Sequence, residues 1–241
     1  VKAGYQADLA YIHDSAFSGF VRDAAPWLLQ TLRKHGIHRG LVVDLGCGSG
    51  RWAAELLRAG YDVEGIDLSR SMIAMARRHA PRAKFRVGSL LRERIPKCAA
   101  VTALGECVNY AFDTGNSDAA LRRLFRRVHD ALQPGGLFIF DAAEPGLAAA
   151  APTRRWMDGK DWAILLEITE QPRARTAQRR MTIFRRVHRV YRRSEEVHPL
   201  RLYRRETIAR LLEQAGFQVE VVEGYGKVPF RTALAGYVCR K

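Results

Sequence analysis

Nine residues, Val42-Val43-Asp44-Leu45-Gly46-Cys47-Gly48-Ser49-Gly50, constrain this chain more than any other segment. An apolar run of strand length meets three glycines at alternate positions, and a helical segment over 51–59 follows, stopped by Gly60. Glycine reaches backbone angles closed to other residues and lets the main chain approach a ligand closely. A strand, a glycine loop and a helix in that order form the corner where a parallel α/β sheet binds ligands beyond its strand ends. An ordinary glycine-rich turn is the plainer reading, and that context speaks against it.

The pattern then repeats. Residues 20–35 carry apolar positions at helical spacing, broken by Gly36 and Gly40. Strands are expected at 41–45, 61–66, 83–87 and 99–104. A helix is expected from Ser69 or Ser71 to Ala80, capped by a serine and stopped by Pro81. A second carries Leu121, Leu124, Phe125, Val128 and Leu132 on one face. Gln133-Pro134-Gly135-Gly136 reads as a turn before a fifth strand at 137–140. After Asp141, residues 142–160 read as a loop, 162–169 and 181–191 as strands, 206–215 as a helix, and 217–222 and 233–239 as final strands. Alternating strands and helices predict an α/β fold: a Rossmann-like, doubly wound, mostly parallel sheet with an antiparallel β insertion after strand five.

The ligand has to be argued separately. Gly48-Ser49-Gly50-Arg51-Trp52-Ala53 fits the G-x-G-x-x-A form of a dinucleotide fingerprint, so NAD or FAD has to be weighed. Against it, Asp44 closes the strand just before the loop. A carboxylate there repels a pyrophosphate and suits a ligand with a cationic amine and sulfonium. The glycines also begin at Gly46, making the loop Asp-x-Gly-x-Gly-x-Gly.

That loop resembles the first motif of the class I S-adenosylmethionine-dependent methyltransferases, and three further segments follow in the family's order. Val63-Glu64-Gly65-Ile66-Asp67-Leu68-Ser69 resembles the strand whose terminal acid accepts the ribose hydroxyls, and Ser71-Met72-Ile73-Ala74-Met75-Ala76-Arg77 the helix after it. Phe85-Arg86-Val87-Gly88-Ser89-Leu90 resembles the adenine segment, with Ser89 where the family usually has Asp. Leu132 to Phe140 resembles the turn into the fifth strand. The resemblance covers about residues 40–141 and implies S-adenosyl-L-methionine as cofactor. It implies cofactor contacts at Tyr11, Asp44, Gly46, Cys47, Gly48, Gly50, Asp67, Leu68, Ser89, Leu90, Gly105 and Glu106. Tyr11 enters because similar small-molecule enzymes fold an N-terminal segment over the cofactor.

The resemblance also implies attack by an acceptor nucleophile on a sulfonium methyl. Alignment and desolvation then matter more than a catalytic triad. His13 and Glu106 are candidate bases, and Glu106 alternatively holds the cofactor amine. Asn109, Tyr110, Asp141 and Glu144 are candidate acceptor-binding residues. The motif Asn/Asp-Pro-Pro-Tyr of enzymes that methylate base nitrogens is absent. No His/Cys/Asp/Glu cluster has ligand spacing, so no metal is expected.

Charge poses the remaining question. Forty basic residues against 25 acidic ones give +15. Between Arg173 and Arg205, twelve arginines against Glu195 and Glu196 account for +10 of it. That ribbon reads as a solvated edge, as the frame of an acceptor pocket for an anionic group, or as a track for RNA phosphates. No apolar run spans a bilayer, Val1 to Ala10 lacks a secretory pattern, and Cys47, Cys98, Cys107 and Cys239 read as reduced thiols. A cytoplasmic setting without membrane partners is expected. The chain does not begin with Met, which leaves room for residues upstream.

The expected organisation is a helical lid over 1–39, a cofactor-binding core over 40–145, an antiparallel insertion over 146–204 forming the substrate pocket, and a helix and strands over 205–241 completing the core sheet. The expected function is methyl transfer from S-adenosylmethionine to an N or O atom of a small metabolite. An RNA methyltransferase using the arginine ribbon and a non-catalytic cofactor-binding regulator are the alternatives. The oligomeric state is left open.

Overall fold

The computed structural model describes residues 4–113, 115–148 and 151–241. Its centre is a seven-stranded sheet in the order β10-β13-β5-β4-β1-β2-β3. These strands are β1 (Leu41–Leu45), β2 (Asp62–Asp67), β3 (Lys84–Val87), β4 (Cys98–Ala103), β5 (Leu132–Ala143), β10 (Gln218–Val222) and β13 (Leu234–Arg240). The pairs among β1 to β5 are parallel, whereas β13 runs antiparallel to both β5 and β10. The reversal of order between β1 and β4 creates the crevice in which such sheets bind ligands.

Burial explains why β1 and β4 read as unbroken apolar runs, since both faces of the sheet are covered. Val43, Val101, Phe138 and Phe140 pack against helices α4 (Asp118–Ala131) and α5 (Arg205–Glu213). Val42, Ala100 and Ile139 face the other way, toward α2 (Arg51–Arg58), α3 (Arg70–His79) and the C-terminal half of α1 (Ala7–Lys34). Local signals behave as expected at two starts: Ser69 Oγ accepts the Met72 N–H at 3.2 Å, and Ser117 Oγ that of Ala120 at 3.2 Å.

The differences from the sequence expectation have physical causes. Gln133-Pro134-Gly135-Gly136 lies inside β5, not before it. The strand pairs from Leu132, with a register shift between Cys98 and Ala100, and Gly135 takes φ +77°. The N-terminal helix starts at Ala7 rather than near residue 20, because Leu9 and Ile12 pack on the insertion instead of the core. The insertion has four strands, not two: β6 (Thr153–Gly159), β7 (Trp162–Gln171), β8 (Thr176–Val187) and β9 (Val190–Arg201), antiparallel in that order. Charged outward positions disguise β6 and β9. Of the loop expected over 142–160, residues 149 and 150 lie outside the described residues, as do residues 1–3 of the expected lid. A small hairpin, β11 (Gly224–Tyr225) and β12 (Val228–Pro229), packs by α1.

The two halves of α1 therefore tie two sheets together. Glu196 on β9 accepts the backbone N–H groups of Tyr5 at 2.7 Å and Gln6 at 2.8 Å, capping the entry to the helix from another element. About two turns into the helix, both carboxylate oxygens of Asp14 accept from Arg51, each at 2.8 Å, at the start of α2. No helix of the described residues is long and apolar enough to cross a membrane.

Candidate cofactor and acceptor site

The C-terminal ends of β1, β2, β4 and β5 gather the acids predicted from the sequence. Asp44 is 3% exposed and accepts from Thr102 Oγ1 at 2.7 Å, while Trp52 donates to the same hydroxyl at 3.2 Å. Burial pushes its carboxyl up to about 7; the Thr102 bond opposes this and nearby Asp67 adds to it. Asp67 accepts from the Gly48 N–H at 2.9 Å through one oxygen and from the Ser69 N–H at 2.8 Å through the other. Burial raises it to about 6 against those two bonds. Each Asp67 oxygen keeps a lone pair for a further donor.

The glycines divide into two kinds. A Cβ on Gly46 would lie 2.4 Å from Cys107 Sγ, and one on Gly50 2.8 Å from Ala76 Cα. These two let the loop pack on the protein. Gly48 (φ +53°) and Gly105 (φ +87°) instead border open space, with nothing within 4 Å of such an atom. An open side flanked by buried carboxylates, with lone pairs free for hydroxyl or ammonium donors, fits S-adenosylmethionine. Asp44, Gly48, Asp67 and Gly105 would hold it.

Several predicted contacts are committed to the protein itself. Cys47 is buried; its N–H donates to Ile66 O at 3.0 Å, its thiol is pushed up by burial, and its sulfur lies against Gly65. Tyr11 is held by the insertion: its hydroxyl donates to Asp161 at 2.9 Å and the Arg185 guanidinium lies 3.7 Å from its ring centroid. Asn109 is fully buried and bonds the main chain of Ala143 twice, at 2.9 Å each, and Arg201 O at 2.7 Å, so it anchors the insertion to β5. Asp141 accepts from the N–H groups of Gly105 and Glu106 and, at 3.0 Å, from the Tyr225 hydroxyl. Burial raises it to about 6. In this arrangement it holds the loop after β4. Glu144 is likewise engaged, taking the Arg205 backbone N–H at 3.0 Å and its guanidinium at 2.7 Å. Leu68 and Leu90 are partly buried, next in sequence to Asp67 at the end of β2 and to Ser89 after β3.

Glu106 and Tyr110 are half-buried in the segment after β4. Glu106 sits at φ +59°, an uncommon conformation for a non-glycine residue and the kind that gathers at functional sites. Its carboxylate accepts from Arg179 on β8 at 2.5 Å. Burial works against the arginine's charge, but Glu106, with the Tyr110 and Tyr5 hydroxyls behind it, outweighs burial and raises its pKa. Beside them the Tyr5 and Tyr110 hydroxyls share a hydrogen bond of 2.7 Å. Burial raises both, Tyr110 to about 12, so at neutral pH they are hydrogen-bonding groups and not bases. His13 packs edge-on to the Tyr5 ring, with centroids 5.1 Å apart. Burial lowers its imidazole to about 4, leaving it neutral and weakly basic. His198, bonded to Glu196 at 2.9 Å, packs against Tyr5, Tyr110 and Phe112.

Sequence reasoning singled out neither Tyr5 nor His198, and it placed Arg179 only within the arginine ribbon. Among the described residues, six of the twelve ribbon arginines pair with carboxylates. Arg179 meets Glu106, Arg185 and Arg192 meet Asp8, Arg193 meets Glu195, Arg201 meets Asp118, and Arg205 meets Glu144 and Glu223. Half of the ribbon is thus internal wiring.

Comparison with known proteins agrees with this geometry. A family profile described as a methyltransferase domain matches residues 42–136. A protein of Geobacillus sp. (strain WCH70), named as a methyltransferase, is 28% identical over 55% of this chain, which spans 55% of that protein's length. The dTDP-3-amino-3,6-dideoxy-alpha-D-glucopyranose N,N-dimethyltransferase of Streptomyces fradiae is 25% identical over 92% of this chain and 89% of its own. The structure of SAM-bound CalS10, an amino pentose methyltransferase from Micromonospora echinaspora, shares the fold with a TM-score of 0.77 at 20% identity, covering 100% of this chain and 98% of that one. The profile match over the glycine-loop core gives the chain a methyltransferase domain, and its strand order and overall fold are those shared with S-adenosylmethionine-dependent methyltransferases of known structure.

Proposed function

We propose that the protein methylates an amine of a small acceptor, and that an amino sugar carried on a nucleotide is the acceptor class that fits best. One observation carries this reading. The Glu106–Arg179 pair lies beside the Tyr5–Tyr110 hydroxyl pair, Glu106 directly follows Gly105 with its open side, and the insertion supplies the arginine. When bound, S-adenosylmethionine supplies an electrophilic methyl on a sulfonium. The chain's own part is to accept an amine's N–H bonds through Glu106 and the tyrosine hydroxyls, to orient it, and to exclude water with α1 and the four-stranded sheet. The Streptomyces fradiae sugar dimethyltransferase matches 92% of this chain, more than the glycine-loop core alone. A cleft of about 540 Å³ lined by Tyr11, Ser15, Lys160, Asp161, Trp162 and Arg186 offers cations for an anionic carrier group.

Mass spectrometry with methyl-labelled cofactor tests the proposal. The acceptors are a nucleotide-linked amino sugar, its hydroxy counterpart and glycine. The expected result is methylation of the amino sugar alone. Methylation only of the hydroxy sugar overturns the nitrogen acceptor, and methylation only of glycine overturns the sugar.

A further inference from the structure

Tyr225 ends β11 in the small hairpin and is fully buried against α1. Its ring centroid lies 5.5 Å from that of Trp27 and 6.2 Å from that of Phe20, and Phe230 packs edge-on at 4.8 Å. This packing accounts for an aromatic residue but not for a hydroxyl. The hydroxyl donates to Asp141 Oδ2 at 3.0 Å. Asp141 is itself buried, and among the described residues its donors are all neutral. Besides Tyr225 they are the Gly105 N–H, at 3.1 and 3.0 Å to the two oxygens, and the Glu106 N–H at 2.5 Å. Gly105 and Glu106 both take positive φ, +87° and +59°. For Glu106 that conformation persists only where its surroundings hold it.

We propose that Tyr225 is a positioning residue for methyl transfer: its hydroxyl braces the Asp141 carboxylate, Asp141 fixes the Gly105 and Glu106 backbone, and the Glu106 carboxylate is thereby set against the acceptor amine. The last link rests on Glu106 being the group that meets the amine. An ionised carboxyl accepts through both oxygens, whereas a protonated one turns a donor toward the same N–H groups. Burial raises the Asp141 carboxyl to about 6, against the two N–H bonds and the Tyr225 hydroxyl. The brace therefore weakens as pH falls through that value. The other titratable groups facing Asp141 are Glu106, bonded to Arg179, and Cys107. Burial raises the Cys107 thiol and the Tyr225 phenol well above their ordinary values, so neither ionises in this range.

Amide exchange at Gly105 and Glu106, followed by NMR on the isotope-labelled full chain, tests the brace without an acceptor. In wild type the protection, corrected for intrinsic exchange, should fall with a midpoint near 6 as pH is lowered. Tyr225→Phe keeps the ring and should lower protection near neutral pH about tenfold, moving the midpoint up by about one unit. Replacing Tyr225 with 3-fluorotyrosine, a better donor, should move the midpoint down. Wild-type protection and midpoint in Tyr225→Phe overturn the proposal. If that variant does not fold, judged by circular dichroism, the fluorotyrosine protein decides: a midpoint that stays or rises overturns it. Methyl-transfer kinetics test the last link. Tyr225→Phe should lower kcat/KM for the acceptor about tenfold, its low-pH limb moving with the exchange midpoint. Altered exchange with unaltered kinetics overturns that link alone. If wild type methylates no amine, the acceptor reading fails instead, and exchange still decides the brace.

Discussion

Arg179 donates to Glu106 at 2.5 Å, joining the middle of the four-stranded sheet to the loop after β4 across 73 residues of chain. Both side chains are less than one-fifth exposed. Removing one member of such a pair leaves the other poorly compensated, at a cost of roughly 3 kcal/mol. Arg179→Ala should lower kcat/KM for the acceptor about a hundredfold, while affinity for S-adenosylhomocysteine changes by about twofold or less. Steady-state kinetics beside calorimetric binding separates the two effects. Equal losses in both would place the pair in the cofactor site.

The raised carboxyls make binding depend on pH. Asp44 is held near 7, and Asp67 and Asp141 near 6, each by burial. In the unfolded chain such groups ionise near 4, so between about pH 4 and 7 the folded protein binds more protons and its stability falls as pH rises. A cationic ligand beside Asp44 favours the ionised form. Cofactor binding should therefore release a proton below pH 7 and tighten as pH climbs from about 5.5 to 7.5. Titration in buffers of different ionisation enthalpy reads the proton directly; a proton count of zero at pH 6 would contradict it.

Gly46 leaves no room for a side chain. Gly46→Ala drives a methyl into Cys107 at a φ of +74°. The expected cost is roughly 2–4 kcal/mol, with loss of cofactor binding. Gly48→Ala carries the backbone strain without the collision and should destabilise less. Thermal denaturation of the two variants side by side checks the order.

Glu196 anchors the entry to α1 from a strand 190 residues away, and also bonds His198. Glu196→Ala strips acceptors from two main-chain N–H groups and one imidazole. The variant should lose roughly 2–3 kcal/mol and become more susceptible to proteolysis near residue 6, while the core sheet stays intact. Cleavage mapped first within the insertion would argue against this anchoring role.

The residues that determined most by themselves are those whose chemistry is local. Gly46, Gly48 and Gly50 all take positive φ, which glycine reaches without strain, and Asp44 and Asp67 lie at the C-terminal ends of β1 and β2. That is why the α/β core and the cofactor edge are legible between residues 40 and 141. What the tertiary structure decided is where polar groups separated in sequence come to meet. Asp141 and Asn109 look exposed as letters, yet they are consumed in holding loops. Tyr11 is drawn off by Asp161 and Arg185. Tyr5, Arg179 and His198 arrive at the site from elements with no motif of their own. The net charge of +15 resolves the same way: a charge is counted by composition, but its partner is chosen by packing, and Asp8, Glu106, Asp118 and Glu144 reach their arginines only once α1 and the insertion have closed on the core.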